Sequence, residues 1–145
     1  MTSPKRSMPT EMRVLAEFEG VWRIAREIVP DRGPPAHFEG QGVWAPAAGG
    51  LDYAERGTLN MAGAAPMVAE RRYFWGNDLS VYFDDGRFFH KVPAAGGETA
   101  HWCDPDQYHV RYDFGAWPRF DVIWRVVGPR KSYRMTSRFS RLEEP

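Results

Sequence analysis

Taken two residues at a time, the chain resolves into short stretches whose apolar and polar positions alternate, the period of a half-buried β-strand. Trp22, Ile24 and Ile28 share one face, opposite Arg23 and Glu27. Phe38 and Trp44 share another with Gly40 and Gly42, two glycines that would let a strand bend sharply or another backbone approach. The same rule groups Leu51, Tyr53, Glu55, Gly57 and Leu59, then Arg71, Tyr73 and Trp75, then Leu79, Val81 and Phe83. Phe88, His90 and Val92 follow, with His101 and Cys103 after them. Tyr108, Val110, Tyr112 and Phe114 form the next stripe. Phe120, Val122, Trp124 and Val126, and then Tyr133, Met135, Ser137 and Phe139, complete the series.

Glycine and proline clusters separate these stretches at regular intervals, from Asp31–Pro35 and Pro46–Gly50 to Gly115–Pro118 and Gly128–Lys131. They leave about ten segments, the spacing of an all-β sandwich or barrel. Asp85-Gly86 marks the clearest tight hairpin. Pro-Ala-Ala-Gly-Gly occurs at 46–50 and at 93–97 with unlike flanks, so it marks two loops of one composition and no repeat. Only Thr10 to Phe18 reads as helix, with Thr10 as N-cap and Met12, Leu15 and Phe18 at helical spacing. The expected fold is all-β: an antiparallel up-and-down barrel of about eight to ten strands with a short N-terminal helix. Residues 1–8 read as a disordered leader and residues 9–145 as a single barrel domain.

Composition sharpens this picture more than it changes it. The 145 residues are 43% hydrophobic and include 6 Trp, 6 Tyr and 9 Phe, enough for one substantial core. The 14 Gly and 12 Pro exceed the usual share but stay below the level of low-complexity disorder. One cysteine excludes an internal disulfide and fits a reducing, cytoplasmic setting. No apolar run is long enough to cross a membrane as a helix, and no secretory signal is visible at the start. Net charge is zero, but residues 119–145 hold seven basic and three acidic groups. Arg134 and Arg138 recur there at even spacing, as on a solvated strand face, so nucleic acid is not the expected partner.

The chemistry lies in polar groups that intrude on apolar stripes: Glu55, Arg71, His90, His101, Tyr108 and Tyr112. Ionisable groups inside a small barrel are costly unless paired or wetted, and a cavity for a ligand is one place that tolerates them. The lead reading is therefore a small-molecule binder for a hydrophobic or aromatic molecule. Trp44, Tyr53, Tyr73, Trp75, Phe88 and Cys103, with Tyr108, Tyr112 and Trp124, would line the interior. Glu55, Arg71, His90 and His101 would orient the ligand's polar end. The plainer alternative makes Glu55 and Arg71 a structural ion pair and leaves the tyrosines to satisfy core hydrogen bonds. An isomerase or hydrolase on the same barrel would draw its acid–base from His101, His90, Glu55 or Asp106. An interaction module, including a homodimer, would use exposed aromatics such as Trp102 and Trp117. No cofactor is expected. Zinc on His90, His101 and Cys103 is a lesser reading, because the usual ligand spacings are missing. No phosphate-binding glycine loop or nucleophile elbow occurs either.

The segment Phe18-Glu19-Gly20-Val21-Trp22, a short helix running into a strand with G-x-W, resembles the calycin barrels: lipocalins, fatty-acid-binding proteins and nitrobindin-like barrels. The resemblance implies a calycin-like barrel whose floor is closed by Trp22, packed by an arginine from the final strands. Arg125, Arg134 and Arg138 are the candidates for that arginine. It also implies haem on a single histidine as a lesser reading, although no histidine follows His109. From Phe18 to Arg141 the chain is also similar to an uncharacterised domain family of unknown function. The blocks carrying that likeness include Tyr53-Ala-Glu-Arg-Gly57, Arg72-Tyr-Phe-Trp75, Phe83-Asp-Asp-Gly-Arg-Phe-Phe-His90 and His101-Trp-Cys-Asp-Pro-Asp-Gln-Tyr108.

Overall fold

In the computed structural model, which describes residues 11–142, ten antiparallel strands form one sheet that curls into a nearly closed barrel. In chain order they are β1 (Gly20–Pro30), β2 (Ala36–Ala47), β3 (Gly50–Met61), β4 (Met67–Gly76) and β5 (Ser80–Phe83). The second half comprises β6 (Phe88–Lys91), β7 (Gly97–Cys103), β8 (Asp106–Asp113), β9 (Phe120–Val127) and β10 (Ser132–Arg141). Strands next to each other in sequence pair next to each other in space, with one addition and one omission. β1 also pairs with β10, while β6 and β7 are the two ends of the sheet and share no ladder. The expected barrel is present, and its seam lies between β6 and β7.

The alternation in the sequence becomes the inside and outside of this wall. Trp22, Ile24 and Arg26 of β1 are buried, while Arg23, Ala25 and Glu27 are exposed. At Gly40 the sequence allowed another backbone to approach, and one does. Gly40 faces Gly57 of β3, and a Cβ on either would strike backbone atoms of the other strand. Only glycine fits where two backbones approach so closely.

The N-terminal helix is shorter than expected. A single 3-10 turn, Leu15–Phe18, replaces it; Val14 is extended, and Thr10 lies outside the described residues. The cause is tertiary: the Arg13 amide donates to the Ala94 carbonyl at 2.7 Å, tying this segment to the loop before β7. The proposed leader at 1–8 also lies outside the described residues.

The floor of the barrel is built as the G-x-W segment implied, with a different arginine. Trp22 Nε1 donates to the Phe18 carbonyl at 2.8 Å, and the Arg141 guanidinium lies 4.1 Å over the Trp22 ring. Arg141 also donates to the carbonyls of Glu19 and Glu17, at 2.7 and 2.5 Å. Register explains the choice, because Arg141 is the β10 partner of Trp22. Arg125 and Arg138 instead pair with Asp31 and Asp121 on the outer surface, and Arg134 is exposed. Trp117, expected at an exposed edge, packs here as well, 5.2 Å from Phe18 and 5.7 Å from Trp22.

Candidate functional site

Above this floor the interior is mostly filled, and a cavity of about 50 Å³ remains at its centre. Aromatic faces from Trp44, Trp75, Phe89, Tyr112, Phe120 and Trp124 surround it. Arg26, Glu55, Arg71 and His90 are the titratable groups on its wall apart from the tyrosines.

Arg26 comes from β1 and Glu55 from β3, with β2 between them. The interior face of β2 carries glycine at this level. A Cβ on Gly42 would lie 2.8 Å from the Tyr53 hydroxyl and 3.1 Å from Ile24, so its absence makes room for both. The guanidinium of Arg26 holds Glu55 through two hydrogen bonds, Nη1 to Oε2 and Nη2 to Oε1, the second at 3.0 Å. Tyr53 donates to Glu55 Oε1 at 2.6 Å, and Arg26 Nε donates to Ser137 Oγ at 2.7 Å. Both carboxylate oxygens are therefore engaged. Burial pushes the Glu55 carboxyl up, but the Arg26 hydrogen bonds and charge, Tyr53 and the field of Arg71 together bring it below its ordinary value. Burial and the Glu55 charge push the Tyr53 phenol well up, so it stays a donor.

Arg71 is the residue opposite Glu55 on β4, yet it is not the ion-pair partner. Among the described residues it has no carboxylate within 4.0 Å. Its guanidinium lies 5.4 Å over the Trp124 ring, beside Tyr73 and Tyr133. Burial opposes its charge, whereas Tyr73, Glu55 and Tyr133 favour it. Arg71 and Tyr73 also line an outer pocket of about 510 Å³ with Arg72, Phe83, Asp84, Asp85 and Arg87. These two side chains are the partition between interior and exterior.

His90 is 3% exposed, and its Nε2 lies 2.8 Å from the Tyr112 hydroxyl. Burial, with a smaller contribution from His101, pushes its pKa down to about 3, so the ring is neutral at pH 7. Among the described residues its buried Nδ1 has no partner, and neither has Trp44 Nε1. Two orphaned polar atoms on one cavity wall are unusual, because buried polar groups are nearly always hydrogen-bonded.

The structure brings Trp44, Tyr53, Glu55, Arg71, Tyr73, Trp75, His90, Tyr112 and Trp124 together, and it leaves out five other expected residues. Phe88 is 47% exposed and Phe89 takes the interior position, because a bulge sets Val81 against His90 and Tyr82 against Phe88. His101 stands in the seam, its ring 5.8 Å from Phe88 and 5.9 Å from Phe89. Cys103, at the end of β7, lies 4.0 Å from Arg87 Nη1. Tyr108 packs on Phe89 and accepts a 3.0 Å hydrogen bond from Lys131. Asp106 pairs with Lys131 at 3.2 Å, away from the cavity. Arg26 was missed as a site residue, although its even number between Ile24 and Ile28 marked it as inward. Among the described residues no group of three or more His, Cys, Asp and Glu is placed to hold a metal ion.

The fold has a solved counterpart. An S-type phycobiliprotein lyase, CPES, from Guillardia theta aligns over 90% of this chain and 92% of its own, with a TM-score of 0.65 and 7% identity. That likeness concerns the barrel alone. No curated protein matches the chain in sequence. Among the described residues no helix is long and apolar enough to cross a membrane. The sequence from residue 18 to residue 141, nearly the whole described barrel, matches one family model. The chain belongs to DUF6314, a family of unknown function.

Proposed function

We propose that this protein binds a small apolar or aromatic molecule inside the barrel. The observation carrying this reading is the central cavity, which is walled by aromatic faces and holds two unpartnered polar atoms, Trp44 Nε1 and His90 Nδ1. A ligand with an apolar body and a polar atom would cover the first and satisfy the second.

Size sets a condition on the idea. A cavity of about 50 Å³ has room for a few waters, whereas ligand pockets usually measure roughly 300–1,000 Å³. Binding therefore requires the wall to yield. The Arg71–Tyr73 partition is the natural place, since swinging it outward joins the cavity to the 510 Å³ pocket beyond. The lyase from Guillardia theta supports a barrel of this shape and names no ligand for this one.

An acid–base enzyme on the same barrel has less support. Glu55 is held on both oxygens, and His101 stands in the seam outside the cavity. His90, with a pKa of about 3, is a weak base at neutral pH.

Native mass spectrometry of the purified protein, followed by titration with 2-naphthamide, tests the binding reading. Trp44, Trp75 and Trp124 surround the cavity, so occupancy should change tryptophan fluorescence. A co-purified small molecule, or a saturable fluorescence change that Trp44→Leu weakens, is expected. An empty protein whose fluorescence is indifferent to the probe would rule out the reading.

A further inference from the structure

We propose that the ligand carries a single acidic group and that Arg71 receives it. This rests on the binding reading above and adds the charge of the ligand and the residue that selects it.

Among the described residues the cavity wall contains three charged side chains, Arg26, Glu55 and Arg71, and their charges do not balance. Arg26 and Glu55 form a closed unit, joined by two hydrogen bonds and completed by Tyr53 on one side and Ser137 on the other. Their opposite charges compensate each other within that unit. Arg71 remains, one positive charge with no carboxylate within 4.0 Å among the described residues, set beside the Tyr73 and Tyr133 phenols and over the Trp124 ring. A cation in such surroundings, part-buried and unpaired, is costly to keep unless an anion joins it. The guanidinium fork matches a carboxylate in plane and spacing.

Position supports the same assignment. Arg71 lines both the cavity and the outer pocket, so an incoming acid meets it on the way to the interior. The acidic neighbours in that pocket do not compete closely: Asp85 is held by Arg87 at 2.8 Å, and Asp84 has no arginine nitrogen within 4.0 Å among the described residues. Tyr73 and Tyr133 flank the guanidinium and can donate to the same group. The excess is one charge, so a monoanion neutralises the site, whereas a phosphate dianion would reverse its sign. A cationic ligand would add a second uncompensated charge.

Calorimetric titration with 2-naphthoate, 2-naphthamide and 1-naphthyl phosphate tests this on the wild-type protein and on Arg71→Lys and Arg71→Met. Wild type should prefer naphthoate to naphthamide by about tenfold or more, the usual effect of a charge-assisted hydrogen bond. It should bind the phosphate no better than the carboxylate. Arg71→Met should erase the preference, whatever it does to naphthamide affinity itself, and Arg71→Lys should restore part of it. Equal binding of acid and amide by wild type, tighter binding of the phosphate, or a preference that survives in Arg71→Met would overturn the assignment. Amide binding with no acid preference removes this inference alone. Binding of none of the three removes the cavity reading with it. The wild-type comparison needs no variant to fold.

Discussion

His90 shows how one buried side chain sets the conditions under which the whole protein is stable. Its ring is neutral in the fold because burial, then the nearby His101, holds its pKa near 3 against an ordinary value of 6.5. The unfolded chain takes up that proton first. The contribution of neutral His90 is therefore complete above about pH 6.5 and is lost as the pH falls toward 3. The slope from this one group is at most about 1.4 kcal/mol per pH unit. Urea unfolding between pH 7.5 and 5 should show wild type weakening on acidification and His90→Gln weakening less. Glu55 does not confuse the comparison, because its lowered carboxyl titrates below that range. Parallel lines for the two proteins would mean that His90 is solvated. The alternation of the sequence marked His90, Glu55 and Arg71 as inward. It could not pair them, since Arg26 and Glu55 are 29 residues apart and meet across an intervening strand. Charge was a poor guide as well: Arg26 carries the residue type most often found on surfaces and is nearly fully buried.

Strands were legible because glycine and proline punctuate them, and a close backbone approach was legible where glycine replaces an inward side chain. At the β2–β3 crossing, Gly57→Ala should cost about 1–3 kcal/mol, the range for forcing atoms into packed space. Its Cβ would meet the Glu39 carbonyl and Gly40, neither of which can swing aside. Gly115→Ala, whose nearest neighbour is the side-chain end of exposed Asp113 rather than backbone, should cost much less by urea denaturation. Similar losses in both would show that the crossing is looser than described. Two element-level features were hidden. The bulge in β6 places Phe89 inward in a Phe-Phe-His run that alternation reads with equal ease in the other register. The helix expected from Thr10 onward gives way to a 3-10 turn because the Arg13 amide bonds to a loop more than eighty residues away in the chain, a contact no local pattern records.

For the molecule as a whole, the barrel is continuous except at β6 and β7, which end the sheet without pairing. Side chains of Phe88, Phe89 and His101 bridge that gap in place of a ladder. Hydrogen exchange should find the amides of β6 and β7 that face the seam among the fastest of any strand, with those of β1 and β2 among the slowest. Uniform protection around the wall would show that the seam is closed by hydrogen bonds. The number of strands and their up-and-down order followed from the spacing of turns. The location of the seam did not, because β6 and β7 look in sequence like any other pair of neighbours.

The partnership of β1 and β10 has a consequence in time. Nine register pairs join them, and Arg26 and Ser137 within that ladder stand 111 residues apart. During synthesis β1 emerges first of these ten strands and its partner β10 emerges last of them. Until then Trp22 lacks the arginine that covers it, and one edge of β1 is open. Contacts of such separation are slow to form, since a long loop must close before they contribute anything. Completion of this barrel is thus a late event, and the nascent chain must wait for it with its first strand half paired.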